Sequence, residues 1–425
     1  MTMQRREFLK AIGAGVSTAA LAACAGSPSR AGAKVVVIGA GYGGATCAKY
    51  LRMWSNGALD VTLVEANRVF VSCPLSNLVL GGSKQIADLT VGYDGLVKRG
   101  VNVILETATV VDPVRQTVRL RDQRELPYDR LVLAPGIEFM FDQVQGLGTA
   151  DAQAKILHAW KAGPQTVALR QQLVAMRDGG VYAISIPKSP YRCPPGPYER
   201  ACQVAWYFKR AKPRSKVLIL DGNEDVQSKK GLFMKAWNGE YKGIVEYRPN
   251  HVLTGVDAAT LTARFEVQDN VKADVLNVIP PHRANEIARQ AGVVTANNRW
   301  CEVDFLSFES VKVPKVHVLG DSIQIAPGMP KSGHMANQHA KVAAAAILNA
   351  LSGQPPNPTP AINNTCYSFI TDKDVVHVCS VHQYDAAKKT LVTVPGSGGV
   401  SPAMSAMEGE FAFAWAKNIW ADTLA

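Results

Sequence analysis

The stretch KVVVIGAGYGGATCAKYLRMW, with VTLVE a few residues on, restricts the possible fold of this chain more than any other feature. An apolar run meets Gly39-x-Gly41-x-x-Gly44, and a helical pattern starts directly behind it. In that order the first glycine permits a tight turn, the second lets a pyrophosphate approach the backbone, and the third lets helix pack on strand. The amino end of the helix favours the phosphate charge. Glu65 closes the second apolar run about 20 residues on, where a carboxylate accepts hydrogen bonds from a ribose. The pattern predicts a doubly wound α/β domain that binds a dinucleotide.

Two later segments fit a flavoprotein that uses this domain for FAD. YDRLVLAPG reads as a buried strand turning through Pro-Gly, and VHVLGDSIQ as a strand ending in Gly320-Asp321. An acid at the carboxyl end of a parallel strand can accept hydrogen bonds from a ribityl chain, although Asp321 would equally serve as a helix N-cap. Between these segments, GGVYAISIP and SKVLILDGN resemble the first two strands of a second unit of the same kind, Asp221 ending the second strand. Its first turn reads KSPYRCPPGPYER, too bulky and proline-rich for the backbone to cradle a pyrophosphate. SGQPPNPTPAINN then marks a linker. The organisation expected is a leader over 1–33, a FAD domain in two parts (34–150 and 284–355), a second dinucleotide-like domain over 151–283 without the nucleotide fingerprint, and a small C-terminal unit over 356–425.

Arg5 and Arg6 precede an Ala/Gly-rich apolar segment, the pattern of a twin-arginine export signal, so the periplasm is the expected compartment. Cleavage after Ala33 or lipidation of Cys24 in LAAC both remain open. No apolar run reaches the roughly 20 residues that span a bilayer. A net charge of +11 favours anionic partners, and no basic-aromatic cluster points to nucleic acid. Beyond the leader stand Cys47, Cys73, Cys193, Cys202, Cys301, Cys366 and Cys379, an odd number for an oxidising compartment.

The segments VSCPLSNLVLGG, YRCPPGPYER, MPKSG and NTCYS, supported by HAWKAG and an aromatic-rich closing helix, resemble the flavoprotein subunit of flavocytochrome c sulfide dehydrogenase from about Lys34 onward. The resemblance implies two doubly wound domains of the disulfide-reductase-like type plus a small C-terminal domain. It implies FAD bonded covalently to Cys73, and a redox-active disulfide between Cys193 and Cys366 where relatives bind a nicotinamide. It further implies a sulfide dehydrogenase in which hydrosulfide opens the disulfide and electrons pass through the flavin to a c-type cytochrome subunit. Haem belongs to that partner alone, since Cys-x-x-Cys-His is absent here.

Glu199 is a candidate proton carrier or an exposed helix-start carboxylate; Lys331 is a flavin neighbour or a surface lysine. His334 and His339, five apart, do not share a helix face well enough for a metal site. Buried thiols are the first expectation for Cys47, Cys202, Cys301 and Cys379, with a second disulfide as the alternative. Rival readings are a sulfide:quinone reductase or NADH dehydrogenase-like flavoprotein, and a noncatalytic flavin electron relay with a structural disulfide.

Overall fold

The computed structural model describes residues 32–425. The twin-arginine segment and Cys24 lie outside the described residues. Strand β1 (Lys34–Ile38) leads through residues 39–41 into α1 (Tyr42–Trp54), and β2 (Asp60–Glu65) follows. A short helix, α2 (Ser76–Gly81), comes directly after the Cys73 turn, before β3 (Asn102–Leu105) and β4 (Arg130–Leu133). The second unit contains β5 (Val181–Ile186), α3 (Gly196–Ala211), β6 (Lys216–Asp221), α4 (Lys230–Asn238), β7 (Val245–Arg248) and β8 (Val275–Val278). The chain then returns to the first sheet with β9 (Val316–Val318) and α5 (Gly333–Leu351). It ends in β10 (Ala361–Phe369), β11 (Val375–Asp385), β12 (Thr390–Thr393) and α6 (Ala406–Leu424).

The first sheet runs β9-β4-β1-β2-β3, all parallel, with a short antiparallel hairpin (Val303–Asp304, Glu309–Ser310) on the β9 edge. Its central strands read as unbroken apolar runs because both faces are covered: Val35, Val37, Leu131, Val132, Val316 and Val318 are fully buried. Ala340, Ala343 and Ala344 are buried on α5, which packs on α1, and such small side chains suit a close approach of helices. The second sheet runs β7-β6-β5-β8, again parallel. Two doubly wound units are thus joined in one chain, each with the carboxyl ends of its strands as the expected ligand edge.

The C-terminal unit is an antiparallel sheet, β10-β11-β12, backed by α6. Its position is fixed at two ends. Gln203 of α3 donates to the carbonyls of Phe369 (3.1 Å) and Thr371 (2.7 Å), so the end of β10 is tied to the second unit. At the other end Lys49 of α1 donates to the carbonyls of Ala421 (2.9 Å) and Asp422 (3.0 Å), a cation satisfying the open last turn of α6.

Candidate active site

At the β1–α1 turn the backbone is shaped for a phosphate. Gly39 has φ +93° and a Cβ there would meet Ala134 O at 2.5 Å; a Cβ on Gly44 would lie 1.8 Å from Gly39 O. Neither position accepts a side chain without moving the turn. A methyl built on Gly41 meets no atom within 4 Å, so the exposed side of the turn has room for a ligand. Glu65 accepts from Ala40 N (2.7 Å) and from Asn67 N (2.8 Å), which holds its carboxylate at the lip of this cradle. At the same edge Gly320 N donates to His339 Nδ1 (3.4 Å). Asp321 is not a helix N-cap: that place on α5 is taken by Ser332, whose hydroxyl accepts from Met335 N (3.0 Å). Asp321 Oδ1 is buried without a partner, and a buried carboxylate oxygen without a donor is an acceptor awaiting a ligand hydroxyl. The open turn, the glycine cradle and this orphaned acceptor together fit FAD.

Cys73 lies half-buried just before α2, with Arg192 Nη2 at 2.6 Å from its sulfur. The same nitrogen donates to Trp160 O (2.7 Å), and Nη1 stands 3.8 Å from Asp321 Oδ2. One guanidinium therefore connects the candidate flavin thiol, the Asp321 carboxylate and the HAWKAG segment.

The β5–α3 connection spans residues 187–195, in contrast to the three-residue glycine turn of the first unit, and delivers a cysteine. Cys193 has φ +56°, a left-handed conformation that costs a non-glycine residue roughly 1–3 kcal/mol and is kept where surrounding contacts enforce it. Here Cys193 N donates to Lys331 O (2.8 Å) and its carbonyl receives Gly196 N (2.9 Å). Lys331 is followed by Ser332, which donates to Asn364 Oδ1 (2.7 Å), and Asn364 Nδ2 approaches Cys366 Sγ at 3.4 Å. The MPKSG segment thus holds both cysteines, one through the backbone and one through a side chain.

Both residues are free thiols here. Cys193 presents surface to solvent, yet its sulfur is packed densely enough that desolvation, then the charges of Cys366 and Glu199, raise its pKa. Cys366 is also raised by burial, but Lys229 and Asn364 oppose the rise. The two thiols are close enough for the charge on one to act on the other.

Glu199 is 8% exposed, not the solvent-facing carboxylate that its place at a helix start permitted. Its oxygens accept from Phe369 N (2.9 Å) and Asn77 Nδ2 (2.8 Å), and burial raises its pKa. Asn77, from the CPLSN motif, accepts in turn from Arg200 Nε (3.1 Å). Lys331 is 3% exposed rather than on the surface: its ammonium donates to the carbonyls of Asp321 (2.9 Å) and Ile323 (2.5 Å) and lies over Trp300. Burial pulls its pKa down to about 7.

Arg192, Trp160, Asn77, Arg200 and Lys229 were not singled out from the sequence. Three of them stand inside motifs that were (YRCPPGPYER and CPLSN), and Trp160 is in HAWKAG, so motif membership was the available signal. His334 accepts from Thr365 N (3.0 Å), and His339, which accepts from Gly320 N, also stacks on Phe308. Cys47, Cys202 and Cys301 are buried; Cys379 is half-buried. A cavity lined by Lys34, Arg52 and Asp60 opens at the amino ends of β1 and β2, away from the carboxyl ends where the glycine turn and Glu65 lie.

Three segments of the chain match known protein families. Residues 166–280 match the model described as sulfide dehydrogenase [flavocytochrome c] flavoprotein chain, central, and residues 358–424 match flavocytochrome c sulphide dehydrogenase, flavin-binding. Residues 33–175 match pyridine nucleotide-disulphide oxidoreductase. A sulfide dehydrogenase [flavocytochrome c] flavoprotein chain from Chlorobaculum thiosulfatiphilum is 54% identical over 46 residues, 11% of this chain and 94% of that sequence. The mitochondrial sulfide:quinone oxidoreductase of Dictyostelium discoideum is 24% identical over 333 residues, 76% of this chain and 72% of that one. The solved structure of the sulfide:quinone oxidoreductase from Aquifex aeolicus superposes with a TM-score of 0.72 at 20% identity, covering 92% of this chain and 91% of that one. That likeness establishes the α/β fold of the disulfide-reductase-like flavoproteins.

Proposed function

Because this chain belongs to the family of flavocytochrome c sulfide dehydrogenase flavoprotein chains, we propose that it oxidises sulfide through Cys193 and Cys366 and delivers the electrons to a c-type cytochrome subunit. The observation that carries this reading is the meeting of Cys193 and Cys366 at one place. One comes from the β5–α3 connection and the other from β10, both held by the MPKSG segment beside the Cys73–Arg192–Asp321 group.

In this proposal the glycine cradle, Glu65 and Asp321 hold FAD, and Cys73 is its covalent attachment. Bound FAD supplies a two-electron acceptor that releases electrons singly. The protein's own part begins with the oxidised pair. Hydrosulfide adds to one sulfur of the Cys193–Cys366 bond; that bond breaks, leaving a persulfide on one cysteine and a thiolate on the other. Glu199 takes up the persulfide proton, its buried carboxyl being held by Asn77 and Phe369 N. Arg192 orients Cys73 against Asp321, and the basic chain draws the anionic substrate inward. Export to the periplasm by the twin-arginine route belongs to the same proposal.

Anaerobic rapid mixing with sulfide tests it. Flavin absorbance is expected to bleach in the wild type, and Cys193→Ser is expected to slow bleaching by about three orders of magnitude. Undiminished bleaching in that variant contradicts the proposal. Covalent attachment is read separately: acid-precipitated protein should stay yellow, and Cys73→Ala should release its flavin. The similarity to sulfide:quinone oxidoreductases supports a second reading in which quinone is the acceptor. Turnover with quinone and none with cytochrome c would select it.

A further inference from the structure

We propose that Lys229 is a positioning residue for the cysteine pair: its buried ammonium, fastened beside Cys366, is the fixed positive charge that steadies the sulfur anion released when the pair opens. The inference rests on the proposed role of Cys193 and Cys366. Lys229 directly precedes α4 with φ +56°, so the chain holds a non-glycine residue in the left-handed region there. The side chain enters the interface between the second unit and β10 and is 7% exposed. Its Nζ donates to Cys366 O (2.9 Å) and to Ser368 Oγ (2.7 Å).

An ammonium has three donors and no acceptor. Both acceptors found here are neutral, and among the described residues no carboxylate forms an ion pair with Lys229. A buried cation with only neutral partners is costly and is explained if a negative charge arrives during function. The groups whose charges reach it are Cys366 on β10, Glu199 on α3, Cys193 on the β5–α3 connection and Glu408 on α6. Glu199 is already engaged by Asn77 and Phe369 N. Opening a disulfide breaks one S–S bond and leaves one sulfur with the electron pair, so a new anion forms on a residue that Lys229 already touches or on its partner. Burial pulls the Lys229 pKa down to about 8, with Cys366 and then Glu199 opposing the fall. A neighbouring thiolate would keep it charged.

The test uses the flavin-loaded full chain with its thiols reduced. Alkylation of Cys193 and Cys366 by iodoacetamide is followed by peptide mass spectrometry from about pH 6 to about pH 10, the range in which thiols and amines titrate. Lys229→Gln retains an N–H donor for Cys366 O and Ser368 Oγ but removes the charge; Lys229→Arg retains the charge. The expected result is a Cys366 profile displaced upward by about one pH unit in Lys229→Gln, roughly tenfold slower at neutral pH, with Lys229→Arg close to wild type. Coincident profiles for wild type and Lys229→Gln overturn the inference and leave Lys229 as a strand fastener. If the variants do not fold, the wild type still decides: Cys366 should titrate below Cys193, and the reverse order overturns it. Failure of the oxidised protein to form a Cys193–Cys366 disulfide would instead sink the functional reading on which the inference rests.

Discussion

The two doubly wound units share one topology and treat their ligand edges in opposite ways. In the first, residues 39–41 turn directly from strand to helix, Gly41 is exposed, and Glu65 stays near the surface with backbone donors around it. In the second, residues 187–195 separate strand from helix, and the corresponding acid has been sealed in. Asp221 is fully buried and accepts from Tyr198 Oη (2.7 Å), Tyr247 Oη (3.1 Å) and Asn223 (2.7 Å to Nδ2). A carboxylate that serves a ribose must offer free lone pairs, and this one offers them to its own tyrosines. The second unit thus differs from the first in more than its glycines: its acid is satisfied internally, and its longer connection presents a thiol.

The contrast can be broken most forcefully in the first unit. Gly44→Ala drives a methyl into Gly39 O, and the turn cannot yield without displacing the helix. We expect a loss of stability of about 3 kcal/mol or more, with flavin content falling in step, read by urea unfolding and by flavin absorbance of the purified protein. Unchanged flavin loading would mean that the cradle is not the binding site. In the second unit Tyr198→Phe removes one donor from Asp221 and should cost about 1–3 kcal/mol without creating affinity for NADH. Tight NADH binding by the variant, or by the wild type, would erase the distinction between the two units.

The smallest effect concerns Glu199. Its folded-state pKa is raised above the ordinary value of 4.5, so the folded state is penalised as pH rises through 4.5 toward the raised value, while below 4.5 both states are protonated and the penalty vanishes. Melting curves should consequently show Glu199→Gln gaining on the wild type as pH rises above about 4.5. A difference independent of pH would show that the carboxyl is ionised as easily as in water.

The sequence made the first unit legible because glycine spacing, strand and acid all act within one local segment. The α/β architecture and the second pair of strands followed from the same kind of pattern. Long-range meetings were not legible. Lys331 and Glu199 each carried a surface reading that the packing of distant segments removes. Lys229 lies in an unremarkable polar stretch, SKKG, and only its contact with Cys366, 137 positions away in the chain, gives it significance. Arg192 stood in a motif noticed for its cysteine, and its bond to Cys73 depends on how the two units face each other. Cysteine pairing was read from resemblance, since spacing alone leaves many pairings open.

Non-reducing peptide mapping of the oxidised, flavin-loaded protein, before and after one equivalent of sulfide, bears most directly on the proposed use of the second unit. The account predicts a cross-linked peptide joining Cys193 to Cys366 to which sulfide adds one sulfur atom: as two separate peptides, one of them the heavier, while the flavin is still oxidised, and as a pair rejoined through the added sulfur once the flavin has taken the two electrons. Separate, unmodified Cys193 and Cys366 peptides in both samples would contradict it.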